Sequence, residues 1–321
     1  GDNYTDECTP NGHGTRVAGE ILYNGSIPTS GQIQLDTKVS SMRILDQHNS
    51  LPDRVQPAKL IEKVLTTGKD LHGIRIFNHS VNSTSPCRLK YMSAWAAVMD
   101  KVIHEKDLLV VQSAGNIHPR LGNNSRPSIL DFYNSDIKYP DYLYEAGARI
   151  ANPAHSLSCL TVGSISNTSF ENDDLKSFAE NGDPSSFSRT GYGIWGTLKP
   201  EVVSYGGDFV YNKEDPSNIL PKEDVSPRML RATRTPGHLT SKDDVGTSFS
   251  APKVSCIGAK LQALYPTEPS LLYKALIVQG ARWPKGFLDT ALSNEQKLRH
   301  LKSYGYGLVD IDRSLFNHDH R

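Results

Sequence analysis

The sequence predicts an α/β fold in which helices cover both faces of a mostly parallel sheet. Residues 108–111 form a continuous apolar run, which is typical of a strand that is buried on both faces. The run follows residues 91–105, where apolar side chains recur with the spacing of one helical face. Segments of these two kinds alternate along the chain, as they do in parallel α/β proteins.

Composition limits the kinds of partner. The 321 residues include 35 Lys and Arg and 35 Asp and Glu, so the formal net charge is zero. We therefore expect no nucleic-acid partner and no attraction to an anionic membrane surface. No apolar run approaches the roughly 18 residues that a membrane span needs. A chain of this length can bury one large core, and we expect a single domain over residues 1–321.

The first third of the chain alternates between helical and extended patterns. Residues 1–12 are polar and predict a surface loop, and the helix that follows is expected to begin near His13 and to end at Asn24-Gly25. The next predicted elements are a strand over 38–44, a helix over 57–65 and a strand over 74–82.

Helices are predicted again over 91–105, with Tyr91 and Trp95 on the buried face, and over 248–264 and 270–279. Residues 118–145 are polar and rich in Pro and Asn. They are interpreted as a solvated insertion, with a loop that selects substrates or contacts a partner as the alternative. Residues 208–244 predict a long surface excursion.

A turn of small residues, Gly-Thr-Ser-Phe-Ser-Ala-Pro over 246–252, leads into the helix that begins near Ser248. A serine in the first turn of a helix lies at the positive end of the helix dipole, beside backbone N–H groups that have no helical partner. This arrangement suits a nucleophile. An ordinary Ser or Thr N-cap is the structural alternative.

Two further motifs decide between these interpretations. Residues 11–19 read Asn-Gly-His-Gly-Thr-Arg-Val-Ala-Gly, and residues 112–116 read Gln-Ser-Ala-Gly-Asn. With the serine turn, and in this order, they resemble the motifs of the subtilisin-like serine proteases (subtilases). The resemblance implies a three-layer subtilisin-like fold with a mostly parallel central sheet. It also implies that Ser248 is the nucleophile, His13 the general base and Asn116 a donor in the oxyanion hole.

The same resemblance implies a groove for an extended peptide. The end of the strand predicted over 74–82 falls where subtilases have I-N-M-S-L-G, so Ser80, Val81 and Asn82 are predicted to bind substrate. Ser113, Ala114 and Gly115 are predicted to line the opposite side. Asn82 stands where glycine is usual, and its side chain is expected to narrow or polarise the edge of the specificity pocket. The segment 151–154 resembles the loop that forms the floor of this pocket.

Three more segments, 187–191, 199–207 and 305–310, resemble family signatures that carry the fold and no chemistry. Arg16 replaces the second histidine of the common H-G-T-H motif. It lies on the helix and away from the reacting groups, so no functional conclusion is drawn from it.

A complete triad needs a carboxylate behind the histidine. In subtilases this aspartate lies in a D-[ST]-G turn some tens of residues before the histidine. Asp2 and Asp6 precede His13, but neither is followed by Ser/Thr-Gly. We expect the first strand and its aspartate to be supplied by a segment upstream of Gly1, such as a separate fragment or a propeptide region.

No cofactor and no metal site is predicted. Cys8, Cys87, Cys159 and Cys256 lack CxxC spacing and fit buried free thiols or at most two disulfides. The pairs Asp243-Asp244 and Asn123-Asn124 could suggest calcium, which many subtilases bind. Their spacing matches no calcium loop, so they are interpreted as solvated loop residues.

The sequence therefore predicts a serine endopeptidase that acts on peptide or protein substrates through an acyl-enzyme at Ser248. Two alternatives stay open. The chain could be an inactive or latent peptide-binding protein of this fold, or an acyl-transfer or macrocyclase variant in which an amine outcompetes water.

Overall fold

Nine strands are present in the computed structural model, which describes residues 12–24, 31–46, 50–120, 127–216, 218–220, 229–232, 240–284, 287 and 291–316. In chain order they are β1 (Ile76–His79), β2 (Leu109–Ser113), β3 (Leu160–Ile165), β4 (Leu175–Ser177), β5 (Val202–Tyr205), β6 (Val210–Asn212), β7 (Ile219–Leu220), β8 (Met229–Ala232) and β9 (Thr240–Asp244). The central sheet is parallel, in the order β1-β2-β3-β5. Its strands therefore end at one common edge.

Two layers of helices enclose this sheet. The helices of the described residues are α1 (His13–Tyr23), α2 (Pro57–His72), α3 (Ala94–Lys106), α4 (Ile129–Asn134), α5 (Thr247–Leu264), α6 (Ser270–Gly280), α7 (Asn294–Tyr304) and α8 (Ile311–Leu315). Helices α2 and α3 pack on one face of the sheet, and α5 and α6 pack on the other. The predicted α/β fold with three layers is confirmed.

Strand β2 shows how the apolar run is used. Successive side chains of a strand point to opposite faces. Leu109 and Val111 join the core under α5 and α6, and Val110 joins the core under α2 and α3. A continuous apolar run is what a strand in the middle layer requires.

The predicted helices at His13, 57–65, 248–264 and 270–279 are present, and the C-cap of α1 is Asn24, in the left-handed conformation. Helix α3 begins later than predicted. Its N-cap is Ser93, whose hydroxyl accepts a hydrogen bond from the N–H of Ala96 at 3.1 Å. Tyr91 therefore precedes the helix and is 70% exposed, so its predicted place in the core is wrong.

The strand predicted over 38–44 is not formed. Residues 31–46 are irregular, and their side chains are exposed or half-buried. A strand is stable only when a neighbouring strand pairs with its backbone, and none of the described strands pairs with this segment. The alternation of apolar and polar residues was therefore not sufficient to predict a strand.

Two segments predicted to be solvated contain buried packing. Within 127–145, the side chains of Ile129, Phe132 and Tyr142 belong to one apolar cluster, and the Tyr142 hydroxyl donates to the carbonyl of Ser186 at 2.7 Å. Phe209, from the predicted excursion, joins the same cluster. The interpretation of 118–145 as a solvated insertion is wrong for its described part.

Cys87, Cys159 and Cys256 are buried and unpaired, whereas Cys8 lies outside the described residues. Across the part of the chain that the structure describes, no helix has both the length and the apolar character needed to cross a membrane.

Candidate active site

Ser248 lies in the first turn of α5, beside the end of β1. The helical partner of its carbonyl group would be the N–H of residue 252, but this residue is Pro252, which has no N–H. The Ser80 hydroxyl lies in the position of the missing donor, 3.4 Å from the Ser248 carbonyl oxygen. The Ser248 hydroxyl is in turn 3.5 Å from the Ser80 carbonyl oxygen, so the predicted nucleophile directly adjoins the predicted substrate segment.

Asn116 follows β2 and contacts the same turn. Its Oδ1 accepts hydrogen bonds from the Thr247 N–H at 3.0 Å and from the Thr247 hydroxyl at 2.8 Å. These two bonds fix the carboxamide with Nδ2 on the side away from Thr247. Gly246 makes the approach possible, because it adopts φ 151° and a Cβ there would lie 3.2 Å from Asn116 Nδ2.

In the turn that carries Ser248, the backbone N–H groups of Thr247 and Phe249 both have acceptors. The N–H of Thr247 is bound to Asn116, and the N–H of Phe249 donates to the Gly246 carbonyl at 3.0 Å. The N–H of Ser248 lies between them, where the first turn of a helix leaves donors without a helical partner. A Cβ on Gly246 would lie 3.2 Å from Asn116 Nδ2 and 3.7 Å from the Ser248 nitrogen, so these two donors lie near each other.

His13 is the first residue of α1 and follows Gly12, which adopts the left-handed conformation. The imidazole is half-buried, and its ring centroid lies 5.6 Å from that of Phe249, the residue after Ser248. Helix α1 packs against α5. The structure therefore brings His13, Asn116 and Ser248 to one end of the central sheet, although their motifs are far apart in the chain.

Two ion pairs join the helix of His13 to the elements around the nucleophile. Arg16 Nη1 lies 3.0 Å from Asp244 Oδ2, and the buried Lys253 ammonium contacts the buried Glu20 carboxylate. Sequence reasoning assigned no role to Arg16 and did not single out Glu20. Their i, i+4 spacing on a helix that also carries apolar residues was the available signal, because it places both on one face.

The predicted substrate segments lie side by side. His79 at the end of β1 is paired with Gln112 of β2, and the half-buried Ser80, Val81 and Asn82 continue from it. The opposite segment, Ser113, Ala114 and Gly115, is buried. Asp2 and Asp6 lie outside the described residues, and so does the pair Asn123-Asn124.

Arg189 lies behind Asn116 and was predicted only as part of a fold signature. It is 1% exposed, and its guanidinium donates to four backbone carbonyls at 2.9–3.1 Å, those of Thr84, Asn116, Gly147 and Arg149. Burial lowers the pKa of Arg189 to about 10, so it remains a cation at neutral pH. One buried charge thus ties the segments after β1 and β2 to the chain at 147–149.

A second buried group is His79. Its Nδ1 lies 2.6 Å from Gln112 Oε1. Gln112 Nε2 donates to carbonyl oxygens, so Oε1 is the acceptor and the neutral imidazole carries its proton on Nδ1. Burial lowers the pKa of His79 to about 4, which outweighs the opposite effect of the bond to Gln112.

A family model and one curated relative match most of this chain. The model of the family described as "Subtilase family" matches residues 1–307. The chain is 29% identical over 240 residues to the uncharacterized protein y4bN of Sinorhizobium fredii (strain NBRC 101917 / NGR234). This match covers 72% of the chain and 53% of y4bN, so the chain spans about half the length of that relative.

Two solved structures share the fold. The prenylagaramide maturation protease PagA superposes with a TM-score of 0.53 at 16% identity, over 94% of this chain and 80% of PagA. The epidermin leader peptide processing serine protease EpiP of Staphylococcus aureus superposes with a TM-score of 0.55 at 18% identity, over 94% of this chain and 62% of EpiP. With the family match over residues 1–307, these findings show that the chain belongs to the subtilase family.

Proposed function

We propose that this protein is a serine endopeptidase that hydrolyses peptide bonds through an acyl-enzyme at Ser248. Membership of a family of subtilisin-like serine proteases supports the class. The observation that carries the proposal is the fixed orientation of Asn116. Both bonds from Thr247 go to its Oδ1, so the donor Nδ2 is presented beside the turn that carries the nucleophile.

The first step is attack by the Ser248 hydroxyl on the substrate carbonyl carbon. A serine hydroxyl near its ordinary pKa is a weak nucleophile, so a base must accept its proton during attack. His13 is the proposed base, because α1 packs on α5 and holds the imidazole next to Phe249. His13 then returns the proton to the leaving amine, and water repeats the cycle on the acyl-enzyme.

Charge develops on the carbonyl oxygen in the tetrahedral intermediate. Asn116 Nδ2 and the backbone N–H of Ser248 are the proposed donors to this oxygen. They are preorganised by bonds that do not depend on substrate, which is the condition under which such donors accelerate acyl transfer most. The N-terminus of α5 adds its positive dipole at the same place.

We further propose that residues 1–321 form a single peptidase domain, since α5 and α6 share the core of the central sheet and α1 packs against α5. The carboxylate that orients His13 is proposed to lie outside the described residues. Asp2→Asn and Asp6→Asn test two acidic residues that precede His13 in the chain, and each is expected to leave kcat within about twofold of the wild type. A loss of several orders of magnitude in either variant would assign the carboxylate to that position.

The test is covalent labelling of the full natural protein with a fluorophosphonate, followed by peptide mapping. We expect the added mass on Ser248, and we expect His13→Ala to abolish labelling while the fold, followed by circular dichroism, is retained. Ser248→Ala controls for labelling of other hydroxyls. An unlabelled, folded wild-type protein would contradict the proposal and support the inactive or latent alternative.

Product analysis then separates hydrolysis from acyl transfer. Wild-type protein that has not been treated with the fluorophosphonate is incubated with a peptide that carries a free amine, and the products are analysed by mass spectrometry. Two hydrolysed fragments support an endopeptidase. A cyclic or transpeptidated product would replace the endopeptidase proposal with the acyl-transfer alternative.

A further inference from the structure

The side chain of Asn82 spans the two segments that flank the nucleophile. Its Nδ2 donates to the Ser113 hydroxyl at 2.6 Å, and its Oδ1 accepts from Gln112 Nε2 at 3.0 Å. Asn82 belongs to the segment after β1, whereas Ser113 and Gln112 belong to β2. We call this connection the Asn82 bridge.

The Asn82 bridge is anchored in a buried polar network. Gln112 and Ser113 are 0% exposed, and His79 is 6% exposed. Gln112 also receives the bond from His79 at 2.6 Å and donates to the Ser113 carbonyl at 3.0 Å. Opening the bridge would leave buried donors and acceptors without partners, which is costly. The bridge is therefore expected to persist when a substrate arrives.

The position of the reacting carbonyl places the substrate over this bridge. Attack requires the carbonyl carbon near the Ser248 hydroxyl with its oxygen towards Asn116 Nδ2. Ser248 adjoins Ser80 in the segment after β1, and Asn116 directly follows the opposite segment, Ser113 to Gly115. The residue that contributes the carbonyl, here called the acyl residue, then directs its side chain between the two segments that the bridge connects.

The segment that the bridge joins on the β2 side, Ser113 to Gly115, is also closely packed. A Cβ on Gly115 would lie 2.6 Å from the Cβ of Ala151, so these two backbones are in direct contact. The residues that precede them, Ala114 and Ile150, form an apolar cluster with Cys87 and Ala154, and no member of this cluster is more than 2% exposed. A densely packed cluster does not accept an additional large side chain without displacement of its members.

We propose that Asn82 determines specificity by closing the space between these two segments, so that the enzyme cleaves after small residues, namely glycine, alanine or serine. This inference rests on the proposed endopeptidase function. A larger acyl residue must break the Asn82 bridge before its carbonyl can reach Ser248. We expect this requirement to lower kcat/KM for leucine or phenylalanine by at least about tenfold relative to alanine.

The test is a series of peptides that differ only in the acyl residue: glycine, alanine, serine, leucine and phenylalanine. The full natural protein is expected to cleave after the three small residues and to cleave poorly after the two large ones. Asn82→Ala removes both bonds of the Asn82 bridge and, unlike a substitution by glycine, does not make the backbone more flexible. We expect it to raise kcat/KM for leucine relative to alanine by about tenfold. Asn82→Gly should do the same or more.

Ser113→Ala is the matched control, because it removes one bond of the bridge and keeps the volume of the Asn82 side chain. Ser113→Ala should change the ratio of kcat/KM for leucine to kcat/KM for alanine less than Asn82→Ala does. The proposal is overturned if the wild-type protein cleaves after leucine as fast as after alanine, or if both Asn82 variants keep the wild-type ratio.

Fluorophosphonate labelling in parallel distinguishes failure of the specificity proposal from failure of the endopeptidase proposal. Labelling of Ser248 with equal cleavage after small and large residues overturns the specificity alone. Absence of both labelling and cleavage in the wild-type protein and in both Asn82 variants overturns the endopeptidase function, and the specificity with it.

Discussion

The Arg16 guanidinium lies 3.0 Å from the Asp244 carboxylate and joins α1 to the chain that enters the nucleophile turn. The side chains are 15% and 27% exposed, so the pair is partly shielded from solvent. Arg16 lies one helical turn after His13. We therefore expect the ion pair to hold the proposed base in position relative to the proposed nucleophile, with Arg16 as a positioning residue.

We expect Arg16→Met to lower kcat by about tenfold with a change in KM of less than about twofold, because a small displacement of a catalytic group slows the chemical step more than binding. Arg16→Lys keeps the charge and should retain most of kcat. The cost in stability should stay at about 1 kcal/mol. Steady-state kinetics and urea unfolding provide the measurements.

Lys101→Met is the control for this prediction. It removes an exposed ion pair with Glu62 and lies far from the site, so kcat should not change. Equal kcat for Arg16→Met and the wild-type protein would show that the Arg16–Asp244 pair does not position the base.

Arg16 also shows what sequence reasoning could and could not reach. The motifs around His13, Asn116 and Ser248 identify the chemistry because each role needs a specific residue type. The motifs gave Arg16 no role, because an ion pair across 228 residues depends on how α1 packs against the end of β9. The same limit applies to 38–44, where alternation predicted a strand but no described strand lies beside it. The periodicity of a segment does not show whether a partner strand lies beside it.

The protonation of His79 predicts a pH dependence of stability. The pKa of His79 is about 4 in the folded protein and about 6.5 in an unfolded chain. Between these values the unfolded chain binds more protons, so the free energy of unfolding falls as the pH is lowered from 6.5 to 4. The loss attributable to His79 is about 3 kcal/mol.

The measurement is the difference in free energy of unfolding between the wild-type protein and His79→Gln, determined by urea titration at several pH values. The difference cancels other groups, including Asp208, whose pKa burial raises to about 6 and whose effect on stability has the opposite sign. We expect the advantage of the wild-type protein to shrink by about 3 kcal/mol between pH 6.5 and pH 4. A constant difference would rule out a neutral, buried His79.

Glu201 predicts a large effect on stability. Its carboxylate lies 2.6 Å from Lys199 Nζ and 3.1 Å from Lys274 Nζ, and it accepts from the Thr161 N–H at 2.7 Å. Burial by itself would raise the pKa of Glu201, but the two ammonium groups outweigh it and lower the pKa. Glu201→Gln leaves the fully buried Lys199 ammonium without a counter-charge at this position.

We expect Glu201→Gln to lower the free energy of unfolding by about 3–5 kcal/mol, as is typical when one partner of a buried ion pair is removed. Glu62→Gln, at the exposed pair with Lys101, is the matched control and should cost less than about 1 kcal/mol. Urea unfolding measures both. Equal costs for the two variants would mean that the Glu201 cluster contributes no more than a surface pair.

Arg189 provides the test of preorganisation at Asn116. Its guanidinium donates to the Asn116 carbonyl at 3.1 Å and to three other carbonyls, and lysine cannot reproduce this fork. We expect Arg189→Lys to lower kcat by about tenfold with little change in KM. Asn116→Ala should lower kcat by about 10²–10³, a figure taken from the corresponding donor in subtilisin, a member of the same family.

The double variant separates positioning from general damage to the fold. If Arg189 acts by holding Asn116, its replacement has nothing left to misplace once the Asn116 carboxamide is absent. The kcat of Arg189→Lys/Asn116→Ala should then equal that of Asn116→Ala within about twofold, a strongly non-additive result. Losses that multiply would show that Arg189 supports the cleft independently of Asn116, through its bonds to Thr84, Gly147 and Arg149.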